Sequence, residues 1–189
     1  MIFFIYLNRH QAPNLMLPQI MKLLKSNLLT VVLLCLVMTS CSKEDINENE
    51  QARYEIDLNL VHQNDEQMAS RILELVNDHR NSIGLTPLQM DNMYAAAFAV
   101  DHTNHMIAVE KLSHDNFGYR SNAIKYHDDA EDVGENVAYG YDTAETVVNA
   151  WLNSPGHKAN MEGDYTHSGF GVKKSSKGRT YFTQLFYKK

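Results

Sequence analysis

Trp151-Leu152-Asn153-Ser154-Pro155-Gly156-His157-Lys158-Ala159-Asn160 carries an amphipathic helix up to a Pro-Gly stop, then presents a histidine with an asparagine three residues on. The helix starts upstream, where Asp142 and Glu145 stand at capping-box spacing and Val147, Val148 and Trp151 share one face. Two further units precede it, Gly134-Glu135-Asn136 and Leu112-Ser113-His114. The three together offer two imidazoles and a carboxylate from loop-like positions, where functional side chains concentrate on a rigid scaffold.

Outward from this stretch the chain reads as helices first and strands last. Asn64 and Gln67 have capping-box spacing before a helix with Met68, Ile72, Leu75 and Val76 on its apolar face, closed by Gly84 and Pro87. Asp91 opens a long helix with Tyr94, Phe98, His102, Met106 and Val109 on one stripe, and a shorter helix is expected from Tyr119 to Tyr126. The acidic run His127 to Gly134 reads as loop, and Val137 to Tyr139 as a short strand. Residues 168–172 and 180–187 are rich in aromatic and β-branched side chains at strand length, joined by a basic turn. The prediction is an α+β domain over residues 67–189, with a small antiparallel sheet flanked by helices.

These motifs resemble the CAP superfamily (SCP, or pathogenesis-related-1-like) in its short bacterial branch, and the resemblance spans nearly all of residues 70–187. It implies an α-β-α sandwich with a shallow cleft lined by two histidines and two acids. His114 and His157 match the two histidines, and Glu135 matches the acid of the Gly-Glu-Asn motif. The second acid stands three residues after the tryptophan in eukaryotic members; here that position is Ser154. One carboxylate of the family's cleft is therefore missing, and with it the second acid that two-acid chemistry needs.

Two imidazoles and one carboxylate suit a divalent transition metal, zinc above all, with a position left open to water. The metal ligands on that reading are His114, His157 and Glu135. Equally, Glu135 can orient one histidine and leave the other to act as a base. A Ser154-His157-Glu135 nucleophilic reading is weaker, because a triad is defined by geometry. The bland reading makes Glu135 a loop fastener and His157 a cation at its helix end. Asn136 and Asn160 are expected to tie loops, since Asn side chains bond local backbone readily. His102 and His105 share a helix face but lack a zincin pattern, so packing is favoured for both. The functional expectation is a cleft binding a divalent metal or small extracellular ligand, more a binding protein than an enzyme. The alternatives are a secreted hydrolase acting on peptide or cell-wall substrates, and a surface interaction module using Lys173, Lys174 and Lys177.

Before the domain, Met21-Lys22-Leu23-Leu24-Lys25 is a basic head followed by the apolar run Leu28–Met38, too short to span a bilayer. Residues 1–40 thus read as an upstream extension plus signal peptide, with Met21 the better start. Met38-Thr39-Ser40-Cys41 resembles a lipobox, which would make Cys41 the lipidated N-terminus and a membrane partner through that anchor. With Cys35 removed, Cys41 has no disulfide partner. Residues 41–66 hold eight acids against Lys43 and Arg53, and are expected to form an acidic flexible tether. An outer-membrane or cell-surface lipoprotein of a bacterium is the expected location. The chain carries 17 Lys and Arg against 23 Asp and Glu; loss of Arg9, Lys22 and Lys25 leaves 14 against 23, a net −9. Such a balance argues against nucleic acid as a partner.

Overall fold

The helix that follows the tether illustrates how tertiary demand moves local signals by a residue. In the computed structural model, which describes residues 53–189, helix α1 spans Glu66–Ser82. Its cap is Asp65, whose carboxylate accepts from the Met68 N–H at 3.0 Å, rather than Asn64. The Asn64 side chain instead accepts from the Val172 N–H at 2.7 Å, a sheet contact 108 residues away. At the other end Gly84 takes φ +78°, and the Gly84 and Leu85 N–H groups donate to the Asn81 and Arg80 carbonyls, a Schellman closure. The signal-peptide reading, Met21 and Cys41 lie outside the described residues.

The tether reading is corrected at its C-terminal end. Residues 54–66 are part of the folded unit, which runs Tyr54–Lys189. Tyr54 is 7 % exposed and packs in a cluster with Phe98 and Ile124, and a 3₁₀ turn follows at Leu58–Gln63. Acidic composition masked this because one buried aromatic ring can anchor a polar segment.

The remaining elements are β1 (Gln89–Met90), α2 (Tyr94–Val109), α3 (Phe117–Asp128), β2 (Asp132–Tyr139), α4 (Ala144–Leu152), α5 (Pro155–Met161), β3 (His167–Lys174) and β4 (Thr180–Lys188). The sheet order is β1-β3-β4-β2; β3, β4 and β2 are antiparallel, while β1 adds a two-residue parallel edge. Side chains alternate along β4, so Phe182 and Phe186 enter one cluster while Leu185 and Tyr187 enter the other. The first cluster joins Ile72 and Val76 of α1 to Val147, Val148 and Trp151 of α4; the second joins Ala95, Phe98 and Ala99 of α2 to Ala123 and Ile124 of α3. This is the expected α-β-α sandwich. Close approach of α2 to β3 depends on Gly169 and Gly171, because a Cβ on either would strike the backbone of Ala95–Ala96 or Ala99–Val100.

Four local expectations are overturned. Asp91 does not cap the long helix from its first position; it accepts from the Met93 and Ala95 N–H groups and from the Tyr187 hydroxyl at 3.0 Å. Residues 132–134 are strand, not loop, because the whole of β2 pairs with β4 despite Asp132 and Gly134. Helix α4 is capped by Thr143 with Thr146, while Glu145 pairs with Arg71 at 2.9 Å. Finally, Pro155-Gly156 begins a helix instead of ending one: Pro155 occupies the first position of α5, where its missing N–H costs nothing.

Candidate functional site

Glu135 lies on β2 with its side chain 2 % exposed. A carboxylate buried that deeply requires a partner. Arg120 of α3, itself 4 % exposed, supplies it: Nε donates to Oε2 at 2.8 Å and Nη2 to Oε1 at 2.9 Å. The sequence reading missed Arg120. A signal existed, since Arg120 shares a helix face with Ala123 and Ile124, and a cation on an apolar stripe calls for a counter-charge. Burial pushes the Arg120 guanidinium below its ordinary value, and the Glu135 charge opposes that fall.

His114 stands on the loop after α2, its side chain about half exposed, with Nδ1 2.7 Å from Glu135 Oε1. The loop is pinned from two sides. Arg120 Nη1 donates to the Asp115 carbonyl at 2.6 Å, and the His102 ring Nε2 lies 2.8 Å from the Ser113 carbonyl. A carbonyl only accepts, so His102 carries its proton on Nε2. His102 is buried, as expected, but its work is to position the His114 loop. Burial, then the Arg120 charge, lowers its affinity for a second proton.

His157 is in the first turn of α5, not at a helix C-terminus, so it is not a favourable cation at its helix end. Its Nδ1 lies 2.9 Å from Ser154 Oγ. Ser154 is the cap residue of α5, yet its hydroxyl makes no capping bond. Burial and the neighbouring His114 both hold His157 below the ordinary histidine range, so it is neutral at pH 7. Two asparagines fasten α5 to β2: Asn136 Nδ2 donates to the His157 carbonyl at 3.1 Å, and Asn160 Nδ2 to the Glu135 carbonyl and Asn136 Oδ1 at 2.9 Å each.

Ser154 and His157 line a cleft of about 630 Å³ together with Leu112, Tyr139, Trp151 and Arg179. Ser154 therefore does enter the cleft. The four groups pair two by two, however: Glu135 bonds His114, and Ser154 bonds His157. No Ser154-His157-Glu135 relay is assembled. Nor does Glu135 fit the role of metal ligand, since Arg120 engages both of its oxygens. Among the described residues no group of three or more His, Cys, Asp and Glu side chains is arranged to hold a metal ion. The basic hairpin is likewise partly committed: Lys173 Nζ donates to Gln63 and Asn104 at 2.8 Å each, and Lys177 pairs with Glu110.

The cysteine-rich secretory protein (CAP) family matches residues 73–186. The chain belongs to the CAP family. It is similar to the uncharacterized membrane protein YlbC of Bacillus subtilis, 38% identical over 123 residues, 63% of this chain and 34% of that one. The uncharacterized protein YkwD of the same organism is 33% identical over 124 residues, 61% of this chain and 45% of that one. The chain thus matches less than half the length of either curated relative. An outer surface protein from Borrelia burgdorferi superposes with a TM-score of 0.58 at 25% identity, covering 65% of this chain and 93% of that structure. An extracellular protein containing an SCP domain from Bacillus anthracis does so with 0.53 at 29% identity, covering 64% and 40%. In this CAP domain, Glu135 is tied to Arg120 and His114, and Ser154 is tied to His157.

Proposed function

We propose that the chain is an exported CAP domain that binds a divalent cation, zinc before others, between His157 on the cleft wall and the neighbouring His114 on the loop after α2. One observation carries the reading: each Nδ1 is taken by an orienting oxygen, Glu135 Oε1 for His114 and Ser154 Oγ for His157. Each Nε2 is then left without a hydrogen-bond partner among the described residues. A carboxylate behind a histidine fixes its ring and raises its strength as a ligand. His157 held neutral adds to this, since protons do not compete for it at pH 7. Glu135 is a positioning residue on this reading and not a ligand. Zinc on two imidazoles would keep further coordination positions for water or a group of a bound ligand. Binding is favoured over turnover because the serine, the histidines and the acid do not form one relay.

The extracytoplasmic setting rests on the basic head, the apolar run and the Cys41 lipobox, which would tether the domain to a membrane by acyl chains. Relatives named as membrane, outer surface and extracellular proteins agree with export. Among the described residues no helix is long and apolar enough to cross a membrane.

Calorimetric titration of zinc into the wild type and the His114→Ala/His157→Ala pair tests the proposal. A saturable heat in the wild type that disappears in the double variant is expected; equal heats from the two would sink it.

A further inference from the structure

The cleft holds a charged group that the cation reading does not use. Arg179, in the turn leading into β4, lays its guanidinium 4.9 Å from the centroid of the Tyr139 ring. Tyr139 in turn stacks on Tyr181, with centroids 5.6 Å apart and planes 22° from parallel. A guanidinium resting on an aromatic face keeps its N–H edge available for a planar anion, in the two-pronged geometry that suits carboxylates.

Among the described residues no carboxylate lies within ion-pair distance of Arg179; its acidic neighbour Glu110 is engaged by Lys177. The wall of the cleft, from Leu112 and Tyr139 across to Trp151, Ser154 and His157, is also free of acids. In a chain of formal net charge −6, an acid-free cavity with a cation at its rim is a local reversal of sign. On the same cleft wall Leu112 is an exposed apolar side chain, and Tyr139, with Arg179 and Tyr181 against its ring, keeps an exposed edge, so the two can meet the body of a ligand.

We propose that the cleft takes a small amphiphilic carboxylate, its carboxyl group clasped by Arg179 and its apolar or aromatic body laid against Leu112 and Tyr139. The inference rests on reading this cleft as a binding site, though not on the cation. It sets Arg179 as the residue that selects for charge and Tyr139 as the platform that holds the guanidinium in place.

Trp151 is the only tryptophan of the chain and it lines the cleft, so its fluorescence reports occupancy directly. The probe is 3-phenylpropionate, titrated into the full chain in the presence of EDTA, with 3-phenylpropan-1-ol as its uncharged counterpart. Saturable binding of the acid is expected, weaker by about tenfold or more for the alcohol and for Arg179→Gln, the size of one charge-assisted hydrogen bond. Arg179→Lys should recover part of the loss, which a merely structural role would not allow. Equal affinity for acid and alcohol, or unchanged binding in Arg179→Gln, would overturn the proposal. Inorganic phosphate displacing the probe at equal concentration would overturn its apolar half. A saturable zinc heat should persist in Arg179→Gln and vanish in His114→Ala/His157→Ala, so failure of the anion site and failure of the cation site are separable.

Discussion

His114 is held from a distance and His157 from close by. The first sits on a loop whose fastenings come from Glu135, 21 residues on, from Arg120 and from His102. The second is held by a hydroxyl three residues earlier, with its helix stitched to β2 by Asn136 and Asn160. The difference is one of dielectric setting. Around Glu135 the charges are out of water, so each depends on the other for its stability. Around Ser154 a neutral pair at a half-open cleft can rearrange at little cost. One side of the site is a rigid frame and the other is an adjustable one, and a cleft that admits ligands of its own needs the second kind.

The largest effect should come from breaking the rigid side. Arg120→Ala leaves the buried Glu135 carboxylate with His114 alone and no buried counter-charge, and frees the Asp115 carbonyl, at a cost of about 3–5 kcal/mol in urea unfolding. Replacing both partners, Arg120→Met with Glu135→Leu, should recover most of that loss. A double variant no more stable than Arg120→Ala would show that Glu135 is not balanced by Arg120 in the way described.

A middle-sized effect concerns pH. His102 and His157 are both held below the ordinary histidine range, by burial first and then by Arg120 and His114 respectively. The unfolded chain gains protons at these sites near about pH 6.5 while the folded chain does not. Stability is therefore full above about pH 6.5 and falls as pH drops below it. Thermal melts from about pH 7.5 to 5, spanning that window, should show a declining Tm in the wild type and a shallower decline in His102→Gln, whatever its starting Tm. Parallel slopes would remove His102 from the account.

The smallest effect belongs to the adjustable side. Ser154→Ala removes one hydrogen bond at a site open to water and should cost about 1 kcal/mol or less. A loss as large as that of Arg120→Ala would erase the contrast between the two halves.

The same contrast explains what the sequence made legible. Periodicity carried α1 and α4, because one face of each repeats at about 3.6 residues against a core, whereas aromatic and β-branched composition at strand length carried β3 and β4, which are buried on both faces. The motif residues His114, Glu135, His157 and Ser154 were identifiable as types. Their pairing was not, since nothing local in Gly134-Glu135-Asn136 says that Arg120 will meet the carboxylate from α3. The helix starts at Asp65 and Thr143 were misplaced by a residue because several capping side chains stand side by side, and sheet contacts chose among them. Reading Pro155-Gly156 as a stop failed because proline is welcome at a helix start as well as beyond its end. Tyr54 escaped notice since a lone ring in an acidic run has no period to reveal it.

The central claim is that His114 and His157 offer their Nε2 atoms to one ligand while Glu135 and Ser154 hold the opposite nitrogens. Long-range proton–nitrogen NMR of the histidine rings during zinc addition tests it most directly. Shifts at Nε2 of His114 and His157 together are expected, with Nδ1 of each little changed and His102 unmoved. Shifts at Nδ1, or at neither histidine, would contradict it.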